Sequence, residues 1–120
     1  MTLTILGAPR TKKNHGQRLR MGTRTLNLPS KAFLAWQTVA MLQLRRVGGL
    51  PPIAYPVNLR ATFYRDALRG DAVGFYQALA DVLEEAGVVQ NDRWIVSWDG
   101  SRLEKDAKRP RVELVLEAAL

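Results

Sequence analysis

Stretches of alternating apolar and polar residues are interleaved with stretches where apolar residues recur every three or four positions, and this pattern divides the chain into elements. Thr2, Leu3, Thr4 and Ile5 alternate, predicting a short strand over residues 2 to 7 with Leu3 and Ile5 turned inward. The clearest strand starts at Pro56, with Val57, Leu59, Ala61 and Phe63 on one face and Asn58, Arg60, Thr62 and Tyr64 on the other. Near the end Val112, Leu114 and Leu116 alternate with Arg111, Glu113, Val115 and Glu117, predicting a last strand. Two stretches have helical spacing instead. Phe33, Trp36, Ala40, Leu44 and Val47 form one stripe, opened by Pro29-Ser30 with Ser30 as the cap and closed by Gly48-Gly49. Ala72, Phe75, Tyr76, Leu79, Val82, Leu83 and Ala86 form the second, which stops at Gly87.

Weaker patterns fill the gaps. Residues 18 to 28 suggest a hairpin turning near Met21-Gly22-Thr23, and Trp94 to Trp98 suggests a strand ended by the Asp99-Gly100 turn. Residues 8 to 16 are too polar and too rich in breakers for regular structure, and Arg102 to Arg109 reads as a charged connector. The order strand, hairpin, helix, strand, helix, strand, strand predicts an α+β fold: one domain over residues 1–120, with two helices packed on a mixed β-sheet.

Charge narrows the functional classes. The chain has 18 Lys and Arg against 11 Asp and Glu, a net charge of +7 that favours polyanionic partners through counterion release. Arg10, Lys12, Lys13, Arg18, Arg20 and Arg24 crowd one stretch without an acid among them, while Arg65, Arg69 and Arg93 flank the acidic region. Without cysteine there are no disulfides, thiolate metal sites or thiol nucleophiles, which fits a reducing compartment. The first residues put their apolar run before any positive charge, the wrong order for a signal peptide, and no apolar run reaches the length of a membrane span. The expectation is a cytoplasmic protein with no membrane association.

Candidate chemistry lies between Arg69 and Asp99. Asp71 stands at the start of the second helix, Asp92 in the loop after it, and Asp99 beyond the following strand. Each also has an ordinary structural account: a helix cap for Asp71, a polar turn for Asp92, an Asp-Gly turn for Asp99. Asp81 reads as a solvated charge. A helix from Asp71 to Ala86 is about 22 Å long, and a strand over Trp94 to Asp99 rises about 17 Å. If antiparallel to the helix, that strand returns Asp99 towards Asp71, making these the easier pair within one subunit. Asp92 then joins them only if the first helical turn unwinds or a two-fold partner brings its own Asp92 across.

Several motifs together resemble the RusA family of Holliday junction resolvases, phage-associated endodeoxyribonucleases. They are Pro9-Arg10-Thr11-Lys12-Lys13-Asn14, Pro29-Ser30-Lys31, Arg69-Gly70-Asp71, Ala86-Gly87-Val88-Val89-Gln90-Asn91-Asp92, Ser97-Trp98-Asp99-Gly100-Ser101-Arg102 and Pro110-Arg111-Val112-Glu113. The resemblance covers nearly the whole chain. It implies a homodimer that cuts four-way DNA junctions with Mg²⁺ held by aspartates, in DNA recombination and repair, in a host or prophage setting. Carried over by position, the first acid falls on Asp71 and the later pair on Asn91 and Asp92. The family's second acid falls on Val73, its following Asn on Gly74, and its Lys on Gln77, so the site departs from the family pattern. Asp99 can stand in for the missing carboxylate on the geometry above.

The expected chemistry is phosphodiester hydrolysis, with Mg²⁺ at Asp71, Asp92 and Asp99 activating water, and Arg65 or Arg69 offsetting charge in the transition state. Lys12, Lys13, Asn14, Arg18, Arg20 and Arg24 are the expected grip on the DNA backbone, and paired cuts in a two-fold junction call for a homodimer. His15, the sole histidine, reads as a phosphate or solvent contact rather than a base. Two other readings stand beside this one: a branched-DNA-binding protein with a degenerate nuclease site, and a basic structural dimer.

Overall fold

The computed structural model describes residues 1–12, 17–28, 30–46 and 50–119. Lys13, Asn14, His15, Pro29, Val47 and the Gly48-Gly49 stop lie outside the described residues, and of Gln17, Arg18, Leu19, Met21, Leu26 and Asn27 only the backbone is described. Seven strands and two helices follow in the order β1 (Thr2–Leu6), β2 (Gln17–Met21), β3 (Arg24–Leu28), α1 (Lys31–Arg45), β4 (Val57–Arg65), α2 (Ala72–Glu85), β5 (Ile95–Ser97), β6 (Arg102–Lys105) and β7 (Arg111–Ala118). The main sheet runs β1-β7-β4, all antiparallel, and the far edge of β4 is shared by β5 and β6, both parallel to it. The sheet is therefore mixed, as the periodicity predicts. The hairpin β2–β3 forms a separate two-stranded sheet.

Alternation decides which sheet face is covered. Leu3 and Ile5, then Val57, Leu59, Ala61 and Phe63, then Val112, Leu114 and Leu116 make one buried face, against which α1 presents Phe33, Trp36, Ala40 and Leu44 and α2 presents Phe75, Ala78, Leu79, Val82 and Leu83. Burying a large apolar side chain contributes about 1.5–3 kcal/mol, so this single cluster dominates stability. The opposite face stays polar: Arg60 pairs with Glu117 at 3.0 Å, and Arg111 reaches Glu113 and Asp106.

Both helices start as their sequences dictate. Ser30 Oγ accepts from the Phe33 N–H at 3.1 Å, and Asp71 Oδ1 accepts from the Val73 N–H at 3.1 Å. An isolated pairing of Ile53 with Val89 ties the segment before β4 to the end of α2, the Ile53 N–H donating to Val88 O and the Gln90 N–H to Ile53 O, both at 2.9 Å.

Two expectations need correcting. The strand expected over Trp94 to Trp98 is shorter, because Asp92–Trp94 is a 3₁₀ turn capped by Asn91, whose Oδ1 accepts from the Arg93 N–H at 2.9 Å. The connector expected after Arg102 contains a strand, β6. Its alternation is masked by charge, since an edge strand with a single apolar residue, Leu103, takes its order from pairing with β4 and not from burial. Between β5 and β6 the ladder is bridged by one side chain: Ser101 Oγ accepts from the Ala61 N–H at 2.9 Å and donates to Leu59 O at 3.0 Å.

Candidate functional site

The first half of α2 is capped by Asp71 and has the segment carrying Arg10 and Lys12 packed against it. Segment 9–12 lies across its first turns, with Thr11 buried and its methyl group 3.2 Å from where a β-carbon on Gly74 would sit. A side chain at position 74 would press on Thr11, which favours a glycine inside a helix where it is otherwise unfavourable. Lys12 then reaches along the helix to an ion pair with Asp81, and its ammonium lies 5.7 Å from the Phe33 ring centroid. Asp81 is thus a paired residue and not the free solvated charge expected.

Below Lys12 opens a cleft of about 380 Å³, lined by Val73, Tyr76, Gln77, Ala80, Asp81, Asp92, Ile95 and Trp98. Positions 73, 77, 80 and 81 share one face of α2 by helical spacing, and Asp92 faces them from the 3₁₀ turn. Asp92 therefore shares a wall with the α2 face without any unwinding of the helix. Its N–H is held by Glu84 Oε1 at 3.1 Å, a positioning contact the sequence reading missed. The glutamate stands eight residues before its partner, and only the backbone path of the 3₁₀ turn brings the two together. The stacked pair Tyr76 and Trp98, 4.7 Å between centroids and 8° from parallel, ties the end of β5 to the second turn of α2.

The three expected aspartates have different environments. Asp71 caps α2 through Oδ1, two residues before Val73 on the cleft wall. Asp92 lines the cleft. Asp99 is a turn residue, its backbone clamped by Asn58: Oδ1 accepts from the Asp99 N–H at 2.9 Å and Nδ2 donates to the Asp99 carbonyl at 3.2 Å. Among the described residues no group of three His, Cys, Asp or Glu side chains is placed to hold a metal ion. The expected return of β5 along α2 holds for Trp98, but the turn that follows turns Asp99 over to Asn58.

Cations surround the start of α2. Arg65 lies over the Phe75 ring at 4.7 Å and donates through Nη1 to the Arg69 carbonyl. Its Nε is buried without a partner among the described residues. Burial holds the Arg65 guanidinium below its ordinary pKa, and nearby Arg10 and Arg69 push the same way while Asp66 opposes them. Arginine remains charged regardless. Arg20 and Arg24 stand exposed beside the β2–β3 turn.

No protein-family model matches the chain, and no curated protein does. Among the described residues no helix is long and apolar enough to cross a membrane.

The donors at the cleft are hard carboxylate oxygens, the type Mg²⁺ takes. Their number suits an ion held by one or two carboxylates, with water and a substrate phosphate completing its shell, and does not suit a cage of three protein acids.

Proposed function

We propose that this protein is a structure-specific endodeoxyribonuclease acting on four-way DNA junctions, with Mg²⁺ held by Asp92 and Asp71. The observation that carries the reading is the meeting of opposite charges along the α2 cleft. Lys12 reaches the cleft through its pair with Asp81, Asp92 lines the same cleft, Asp71 caps the helix two residues before Val73 on its wall, and Arg10 and Arg69 lie close enough to Arg65 to act on its charge. A surface that only held polyanions would gain nothing from acids among its cations, whereas hydrolysis needs both. The cations draw in the phosphodiester and offset charge as the transition state forms. The bound ion, when present, supplies an acidified water as nucleophile. Glu84 keeps Asp92 oriented through its backbone, and Val73, Tyr76 and Trp98 give the cleft an apolar wall that limits water. A homodimer supplies the second site for the opposed strand. With no membrane-spanning helix described, the cytoplasm is the proposed compartment.

The test is a labelled four-way junction incubated with the protein and Mg²⁺, beside Asp92→Asn and Asp71→Asn. Asn caps a helix about as well as Asp, so Asp71→Asn removes the carboxylate and keeps α2 intact. Paired symmetric nicks by the wild type, lost in both variants at unchanged melting temperature, are the expected result. A second reading, branched-DNA binding without cleavage, is favoured by Val73 and Gln77 on the cleft wall. Tight junction binding with no nicks in Mg²⁺ or Mn²⁺ would select it.

A further inference from the structure

The hairpin β2–β3 forms a sheet of its own. Among the described residues its strands pair with each other and with no strand of the main sheet, and the side chains of Arg20, Arg24, Thr25 and Leu28 are exposed. A lone two-stranded hairpin is marginal in water, so one kept in this form is suited to pack on something else. The turn is well made for a tip: Met21 pairs with Arg24, leaving the two-residue loop Gly22-Thr23, and Gly22 has φ +61° at the first loop position, where hairpin turns of this length need it.

The charge indicates what the tip meets. No Asp or Glu precedes Asp66 in the chain, so the hairpin and both its flanks are free of acids. Arg20 and Arg24 are exposed, and among the described residues neither has a carboxylate partner. Cross-strand partners share a face, and Arg20 pairs with Thr25 while Arg24 pairs with Met21. Adjacent pairs point to opposite faces, so the two arginines project from opposite sides of the ribbon. The major groove, about 12 Å wide and about 8.5 Å deep, admits a two-stranded ribbon. Its depth takes in two to three residues at about 3.4 Å each, the span from the Gly22-Thr23 turn back to Arg20 and Arg24.

We propose that the β2–β3 hairpin enters the major groove of a DNA duplex arm tip-first, with Arg20 against one phosphate wall and Arg24 against the other. This rests on the DNA-directed reading above and extends it from charge to geometry. Lys12, paired to Asp81 at the cleft, is five residues before β2, a reach of at most about 18 Å, and the strands add about 17 Å. The tip therefore lies within about one helical turn of DNA, roughly ten base pairs, of the phosphate at the cleft.

The chain has no cysteine, so Thr23→Cys carries a single iron-chelate tether at the tip. The Asp92→Asn background keeps the DNA intact. The expected result is tether-dependent radical cutting on both strands of an arm, on opposite sides of one major groove and within about ten base pairs of the crossover. Arg20→Ala combined with Arg24→Ala should lower the slope of log affinity against log salt by about 1.8, the release from two phosphates. Junction binding that persists with no tether-dependent cutting, or an unchanged salt slope, overturns the proposal. So does complete disulfide-linked dimerisation of Thr23→Cys without DNA, which would seat the tip on a second copy. Equal cutting of plain duplex, with no Mg²⁺-dependent nicking by the wild type, supports the ribbon and removes the nuclease reading. Failure to bind any DNA removes both.

Discussion

Arg65 and Arg111 sit on opposite faces of the same sheet, each stacked on an aromatic ring, and differ in almost everything else. Arg111, at the start of β7, lies 3.8 Å from the Tyr64 ring centroid and is saturated by acceptors: Nε donates to Glu113 at 2.8 Å, and Nη1 to Asp106 at 2.8 Å and the Arg109 carbonyl at 2.9 Å. Glu113 first, then Asp106, raise its pKa. Arg65, at the end of β4, stacks on Phe75 and donates to the Arg69 carbonyl, its buried Nε has no partner among the described residues, and burial, then the charges of Arg10 and Arg69, lower its pKa. The first arginine completes a network within the protein. The second is held among other cations, with no carboxylate partner among the described residues.

The largest expected effect comes from removing the ring under Arg65. Phe75 is fully buried and also packs on Phe63 at 5.6 Å, so Phe75→Ala should destabilise the fold by about 3–5 kcal/mol in urea unfolding. A loss below about 1 kcal/mol would mean that the core closes around the gap and that Phe75 serves Arg65 more than the fold. The second effect separates the two arginines by function. Arg65→Gln should reduce the salt slope of DNA binding by about 0.9 with little change in melting temperature, whereas Arg111→Gln should leave the slope alone and lower the melting temperature. The reverse pattern would move the anion-receiving face to the other side of the sheet.

These two seats also mark how far the sequence is legible. Alternation along β1, β4 and β7 and the stripes of α1 and α2 follow from burial, which leaves its period in the residue order. That is why the α+β sheet-and-helix layout, the Ser30 cap and the Gly22-Thr23 turn can all be read from it. β6 is hidden because its order comes from pairing alone, and the 3₁₀ turn at Asp92 because a side-chain cap at Asn91 replaces the first strand residues. In the candidate site the cleft face of α2 is implied by spacing. The contacts that hold it, Glu84 to Asp92 and Lys12 to Asp81, join residues with no pattern between them. Asp99 is expected near Asp71 because an ideal strand would return it there, and the Asn58 clamp on its backbone, 41 residues away in the chain, leaves no pattern in the residue order.

The smallest effect is on acid stability, and it tests whether the Arg111 seat is structural. Asp106 has its pKa lowered, chiefly by the side-chain hydrogen bond from Arg111 and then by the Arg109 N–H. A carboxyl whose folded pKa lies below its unfolded value, about 3.9, stabilises the fold fully above that value and loses the contribution as pH falls through the folded pKa. Stability should therefore decline below about pH 4, and Asp106→Asn should flatten that decline while leaving the slope of DNA binding against salt unchanged. Arg111, with its pKa raised, contributes throughout this range, because its proton is lost only at high alkalinity. Thermal melts between about pH 2.5 and pH 6 decide the matter. An Asp106→Asn melt curve parallel to wild type would show that Glu113 alone holds Arg111. The contrast between the two arginines would then rest on one carboxylate instead of two.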